Sequence, residues 1–513
     1  MGVTRREFVG MLLGGAMAAC ATSGKRTPPG VLVETGMRRG HQMRDSGPIV
    51  PARWRAHRVV VVGSGVAGLG AAWALARRGV TDVVVLELDD VSGGTARGGS
   101  SSVTSYPWGA HYIVAPQKEQ TELIALLAEL GAIETYAADG TPVIEEALRC
   151  REPEERVFYR GHWYEGLYME AGATADDRAQ LARFRTAIDS FAGRRDAQGR
   201  RAFAIPRSHS AQDDDLLALD RLSFGAWLDT QHLTSPRLRW LCDYACRDDY
   251  DLLAADTSAW AGLFYFAARE RAPGAAAQTV LTWPNGNGAL VGHLAQGARI
   301  ETGVAVHAVT EGGDVLATAP DGTPFGIHAE HVIVATPSFV ASRLVKRELP
   351  HGDYGAWAVA NVHLHARPRE ARGAPPAWDN VFRDSPSLGF VSATHQRGRE
   401  RGPTVWTWYY PFPGDGATAR KQLAGASYAD WAEVVLLDLE RAYPDVRELV
   451  DRIEVAFWGH GMIRPRVGSL WSEARARLAQ PVGRVHFAHT DLSGFALFEE
   501  AFDHGLRAAS EIT

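Results

Sequence analysis

Residues 58–99 read RVVVVGSGVAGLGAAWALARRGVTDVVVLELDDVSGGTARGG. Val59–Val62 is a short β-branched apolar run, the composition of a buried parallel strand. It breaks on Gly63-Ser64-Gly65-Val66-Ala67-Gly68, the spacing G-x-G-x-x-G. A helix is expected from about Val66 to Arg78, with Ala71, Leu75 and Ala76 available to pack and Gly79 at the C-terminal cap. A second apolar run, Val83–Leu86, ends on the acid Glu87. Each part has a physical task in holding a dinucleotide. Gly63 allows the tight turn, Gly65 lets the backbone approach a pyrophosphate, and Gly68 lets helix and strand pack closely. The helix N-terminus offers free N–H groups and a positive dipole end to phosphates. Glu87 can accept hydrogen bonds from the adenosine ribose, and its charge would repel a 2′-phosphate. A G-x-G-x-x-G alone is a weak signal; between a strand and a helix, followed by the acid, it is a specific one.

With 513 residues, the chain exceeds one ordinary core, so at least two domains are expected. Its 46% hydrophobic and 22% charged residues are those of a globular protein. A formal charge of −6 and a pI near 6.3 give no reason to expect a nucleic-acid partner. Lys25, Lys118, Lys346 and Lys421 are the only lysines, which leaves few amines for chemistry. Cys20, Cys150, Cys242 and Cys246 form neither a disulfide framework nor a zinc site, and no metal is expected. Cys242 and Cys246, four apart on a helix, read as core thiols.

Residues 1–20 read as an export signal. Thr4-Arg5-Arg6-Glu7-Phe8-Val9 resembles a twin-arginine pattern, and the Gly/Ala-rich apolar stretch to Ala19 is too short to span a membrane. Met17-Ala18-Ala19-Cys20 resembles a lipoprotein cleavage box, which would place a lipid on Cys20 and attach the protein to a membrane. The protein is therefore expected in the periplasm or otherwise exported. Residues 21–55, rich in Ser, Gly, Pro and Arg without a period, read as a linker. From 117 to about 280, helical periods and aromatics dominate. Ser235-Pro236 starts a helix that ends in Arg247-Asp248-Asp249-Tyr250. Residues 283–340 return to α/β character, 341–460 are mixed, and a strand beginning at Arg484 runs into a polar turn before a closing helix from Phe498.

The order of these pieces resembles the FAD-dependent amine oxidase superfamily, which also holds protoporphyrinogen oxidases and phytoene-type desaturases. Four segments carry the resemblance: VVVVGSGVAGL with Glu87; the Gly93-Gly94 loop; ETGVAV (301–306) with HVIVATP (331–337); and VHFAHTDLSG (485–494) with FEEAFDHGLRAA (498–509). They span the chain from about 58 to its end. The resemblance implies an α/β fold: a discontinuous Rossmann-like FAD domain (56–116, 284–340 and 459–513) with an inserted α+β substrate domain (117–283 and 341–458).

Transferred position by position, the resemblance puts Gly63, Gly65, Gly68 and Glu87 on the ADP half of FAD. It puts Gly94 and Arg97 along the pyrophosphate, Val306 against the adenine, and Asp491 at the pyrophosphate–ribitol region. Glu499, Glu500 and Ala501, opening the last helix, would direct N–H groups at the flavin, where a positive helix end stabilises reduced flavin. There are departures. Thr95 stands where the family usually has an arginine, and Ala488-His489-Thr490-Asp491 replaces Ala-Gly-Asp. The strand-like stretch Trp357–Leu364 lacks the lysine that many amine oxidases hold near flavin N5. Some amine oxidases fix FAD through a cysteine near the C-terminus; none follows Cys246 here, so the resemblance implies noncovalent FAD, at least as far as cysteine is concerned.

For chemistry, His111 and Tyr112 match the stretch that lines the isoalloxazine, and a packed histidine is the alternative. Trp406, Trp408, Tyr409 and Tyr410 could wall the substrate, although strand alternation puts only half on one face; of these, Trp408 is expected at the site. His460, before Arg464-Pro465-Arg466, borders the flavin or substrate in this reading. Asp248 and Asp249 read first as a solvated helix end and second as an attraction for a cationic substrate. The expected activity is hydride removal from an amine, polyamines included, with electrons passed to oxygen or a quinone. The alternatives are a flavin-dependent desaturase or oxidase of a carotenoid- or porphyrin-like substrate, a non-catalytic nucleotide-binding protein, and an NAD-dependent dehydrogenase.

Overall fold

The computed structural model describes residues 10, 12, 27–269, 280–398 and 401–512. The lipoprotein box and nearly all of the export signal lie outside the described residues. Among the described residues no helix is long and apolar enough to cross a membrane.

The elements that position the site are, in chain order, β1 (Gly30–Val33), α1 (Met37–Asp45), β2 (Trp54–Val62), α2 (Val66–Arg77), β3 (Val83–Leu86), α3 (Pro236–Tyr250) and α4 (Ala259–Ala267). Then come β4 (Arg299–Glu301), β5 (Ala305–Val309), β6 (Asp314–Thr318), β7 (Pro324–Val334), β8 (Tyr354–Leu364), β9 (Thr404–Pro411), β10 (Val450–Ile463), β11 (Val485–Phe487) and α5 (Phe498–Ser510).

A seven-stranded sheet has the order β4-β3-β2-β7-β6-β5, with β11 beside β7. The pairs β4–β3, β3–β2, β2–β7 and β7–β11 are parallel, while β7–β6 and β6–β5 are antiparallel. Parallel strands are covered on both faces, which is why Val59–Val62 are all at most 4% exposed. Helix α5 packs on α2 through small residues. A side chain at Gly70 would meet the Phe502 ring at 2.9 Å, and one at Gly505 would overlap the Ala67 carbonyl. That close approach delivers the N-terminus of α5 to the loop after β2.

A nine-stranded sheet forms the second core. It runs β1-β10-β8-β9, then strands 389–392, 379–382, 155–159, 162–165 and 372–373. Strand alternation sorts its aromatics. Ala356, Ala358 and Ala360 of β8 and Trp406, Trp408 and Tyr410 of β9 face a helix at 428–439, packing with Trp431 and Val435. Trp357, Val359 and Tyr409 face the opposite way. Helices α3 and α4 build a third cluster with Phe203, Phe224 and Phe495. Cys242 and Cys246 are buried within it.

Two local expectations change. The stretch expected as a linker holds β1 and α1, because β1 finds the free edge of β10 in parallel register from Gly30↔Ile453 to Val33↔Ala456. Helix α3 does start at Pro236, but Ser235 does not cap it. Its hydroxyl donates instead to Asp177 at 2.6 Å.

Candidate active site

Two adjoining cavities lie where the sheets meet. The larger, about 360 Å3, is lined by Gly63, Gly65, Glu87, Gly93, Gly94, Val304, Val306, His460, His489 and Ala501. The smaller, about 140 Å3, is lined by His111, Tyr112, Asp248, Asp249, Arg269, Trp357, Val359, Leu388, Tyr409 and Glu499. Thr95, Ala110, Trp458, Met462, Leu497 and Phe498 line both, so one runs into the other.

The larger cavity fits a dinucleotide. Gly63 has φ +101, and a Cβ there would lie 2.7 Å from the Ala335 carbonyl oxygen. A Cβ on Gly68 would overlap the Gly63 carbonyl, so any side chain would separate helix from strand. A Cβ on Gly65 would meet nothing within 4 Å: the space above it is open for phosphates. No side chain caps the start of α2, which leaves its first N–H groups free for an anion. Glu87 Oε2 accepts from the Ser64 N–H at 2.8 Å and the Ser64 hydroxyl at 2.7 Å. Its Oε1 accepts from the Asp89 N–H at 2.8 Å, which fixes the carboxylate at the cavity wall.

The residues expected from the C-terminal segment divide. Asp491 is 1% exposed and does not reach the cavity wall; His489 and Thr490 do. Burial works against its ionisation, but His489 Nδ1 at 3.0 Å, the Ser338 N–H at 2.7 Å and the Tyr354 hydroxyl hold its pKa well below the ordinary value. Asp491 thereby organises the turn carrying His489 and Thr490. Ala501 lines the larger cavity and Glu499 the smaller one. Glu500 turns away, accepting the Arg207 N–H at 2.5 Å. Burial pushes both glutamates up to about 7. Arg97 also departs from the expected place. Its guanidinium donates to Asp89 at 2.6 Å and to the Glu34 carbonyl at 3.2 Å, so it ties loops together behind the cavity.

Of the four expected catalytic side chains, His111 and Tyr112 line the smaller cavity. His111 packs against Tyr409 with ring centroids 4.9 Å apart and against Trp378 at 5.3 Å. Burial lowers its pKa to about 4, so the ring is neutral at pH 7. His460 lines the larger cavity, its ring tilted against Phe339 with centroids 4.5 Å apart, and burial lowers it to about 4. Trp408 is not at the site. It is fully buried on the far face of β9, where Nε1 donates to Asp438 at 2.8 Å. Its neighbour Tyr409 takes the cavity side, and its hydroxyl donates to the Gly109 carbonyl at 2.9 Å.

Asp248 and Asp249 are not a solvated helix end. Asp249 is 7% exposed and pairs with Arg269 at 2.6 Å, and Arg269 Nη2 also donates to the Tyr112 oxygen at 3.0 Å. Burial raises the Asp249 pKa, with Arg269 opposing. Burial, with the Asp249 charge beside it, pushes Asp248 up to about 7. Among the described residues Asp248 has no ion-pair partner within 4 Å. Among the described residues, two polar atoms at the wall of this smaller cavity also lack partners: Trp357 Nε1 and Asn287 Oδ1, on side chains at most 7% exposed. Arg269, Trp357 and Asn287 carry no sequence motif; only tertiary placement reveals them.

A family model for flavin-containing amine oxidoreductases matches residues 66–513. The chain belongs to that family. As a flavin-containing amine oxidoreductase it is an FAD-dependent enzyme, and the cavity lined by Gly63, Gly65 and Glu87 has the shape and free N–H groups to fit that dinucleotide. Solved structures support the fold. A putrescine oxidase bound to putrescine is 19% identical with a TM-score of 0.61, over 90% of this chain and 99% of that one. Cyclohexylamine oxidase from Brevibacterium oxydans is 17% identical, with a TM-score of 0.62 over 89% and 99%. A fatty acid isomerase producing CLA, from P. acnes, is 14% identical, with a TM-score of 0.60 over 89% and 98%.

Proposed function

We propose that this oxidoreductase oxidises an amine that carries a second positive charge, a diamine or polyamine, and passes the electrons to oxygen or a quinone. The observation that carries the reading is Asp248, a carboxylate on an aromatic and aliphatic cavity wall whose partner acid, Asp249, is already paired with Arg269. When ionised, Asp248 would hold a distal ammonium. The walls of Trp357, Val359, Leu388 and Tyr409 exclude water around the reacting end. A dry apolar wall favours the neutral amine, whose nitrogen lone pair assists loss of hydride from the adjacent carbon. His111, uncharged at neutral pH, adds no repulsion. Bound FAD supplies the hydride acceptor. The residues shared by both cavities, Trp458 and Phe498 among them, would set the approach.

A second reading, oxidation or rearrangement of an apolar donor, is favoured by β8. That strand presents Trp357 and Val359 to the cavity where many amine oxidases carry lysine. Anaerobic incubation with putrescine and with a polyunsaturated fatty acid separates the two: bleaching by the diamine alone supports the first, and either bleaching by the lipid or its conversion to an isomer, with no bleaching by the diamine, overturns it. Export is part of the same proposal. The motif Thr4–Val9 supports twin-arginine transport and Met17–Cys20 supports a lipid on Cys20. The mass of the mature N-terminal peptide tests both.

A further inference from the structure

The segment from Pro28 to Ser46 connects the two sheets across the FAD site. It begins on the second sheet. The Tyr428 hydroxyl donates to the Pro28 carbonyl at 2.9 Å, β1 pairs along β10, and Thr35 Oγ1 donates to the Phe457 carbonyl at 2.7 Å. Gly30 permits this edge, because a Cβ there would overlap the Ile453 carbonyl. The chain then reverses at Gly36, with φ +76, into α1. Helix α1 is fastened to the nucleotide-binding sheet. Arg39 donates to the Leu88 carbonyl at 3.1 Å and to both Asp90 oxygens at 2.7 and 3.1 Å, and Ser46 Oγ lies 3.1 Å from His307 Nδ1 on β5. Met43 lines the FAD cavity together with Glu87, Leu88, Val304 and Val306.

We propose that residues 28–46 are a strap that completes the adenosine end of the FAD site, with Met43 as its contact to the nucleotide. Helix α1 has nine residues and none is buried. A helix that short is unstable by itself and draws its order from tertiary contact. Its Arg39–Asp90 pair is exposed, with side chains at 36% and 71%, and such pairs hold weakly. An adenine in the cavity gives Met43 an apolar surface to cover, so a docked strap and bound FAD stabilise each other, and the coupling is reciprocal. The family match begins at residue 66, so the strap lies outside it.

The test is Met43→Ala, with Arg39→Ala as an independent second variant, each measured for FAD and for ADP binding to the apoprotein. Losing one partly buried apolar side chain is expected to weaken both ligands by about fivefold, equally, because both carry the adenosine end. The apoprotein should melt at the wild-type temperature. In the wild type, FAD should slow tryptic cleavage after Arg38, Arg39 and Arg44 by at least fivefold. Unchanged FAD affinity in both variants overturns the strap. So does weakened FAD with unchanged ADP, which would place the effect away from the adenosine, or equal cleavage of apo- and holoprotein.

Discussion

Asp249 Oδ2 sits 2.6 Å from Arg269 Nη2 at the wall of the smaller cavity, and the pair leaves Asp248, with Glu499 on the same wall, available to a cation. Asp248→Asn is therefore expected to raise KM for putrescine about tenfold or more, a fraction of the Coulomb energy of one close pair. KM for a monoamine of equal length should change much less. Asp249→Asn should instead cost about 3 kcal/mol of stability, because it leaves a mostly buried guanidinium with only the Tyr112 oxygen for a partner among the described residues. Steady-state kinetics on both amines and a denaturant melt distinguish the two acids.

The pH profile follows from the same carboxylate. Asp248 loses its proton near 7, so it is neutral below that pH and anionic above it. KM for a diamine should fall as pH rises through about 7, and Asp248→Asn should flatten that limb. A profile unaffected by the substitution would separate Asp248 from substrate binding.

Stability should move the other way. Glu155, Asp248, Glu499 and Glu500 each sit near 7 in the fold, raised chiefly by burial from ordinary values of 4.5 for Glu and 3.8 for Asp. Between about 4 and 7 the folded state retains protons that the unfolded chain has released, so stability declines as pH rises through that window. Thermal melts at pH 5.5 and pH 8 check this; a higher melting temperature at pH 5.5 is expected.

Trp408 and Tyr409 separate structure from chemistry on one strand. Trp408→Phe removes the Nε1–Asp438 hydrogen bond in the core and should cost about 1–3 kcal/mol with KM little changed. Tyr409→Phe removes the hydroxyl's bond to the Gly109 carbonyl, a neutral one that should cost only about 1 kcal/mol, and should in addition shift kcat/KM. Both effects are read from a melt and an amine assay on the two variants.

The nucleotide-binding half was legible because it is local. The run Val59–Val62, the G-x-G-x-x-G turn and the acid Glu87 lie within one short βαβ stretch of the sequence, and the glycines' roles follow from backbone sterics. The substrate wall was only half legible. Period-2 alternation says that Trp408 and Tyr409 face apart, but which face meets the cavity depends on the helix at 428–439, far along the chain. Arg97 carries the right side chain near the right loop, yet Asp89 and the Glu34 carbonyl claim it. The residues read as a linker became a strand and a helix because an unpaired edge of β10 was waiting, which no local pattern records.

The glycines give a sharper contrast. Gly65→Ala places a methyl in open space, so the protein should fold but bind FAD at least tenfold more weakly, since the phosphates need that space. Gly68→Ala drives a methyl into the Gly63 carbonyl and should cost stability as well as the cofactor. Melting curves with and without added FAD sort the two.

The most direct measurement is the visible spectrum of the purified protein before and after anaerobic addition of putrescine. A flavin spectrum that bleaches with the diamine, and bleaches at far higher putrescine concentration in Asp248→Asn, is the expected result. A bound flavin that putrescine leaves oxidised at every concentration would contradict the assignment of a diamine to the cavity beside Asp248.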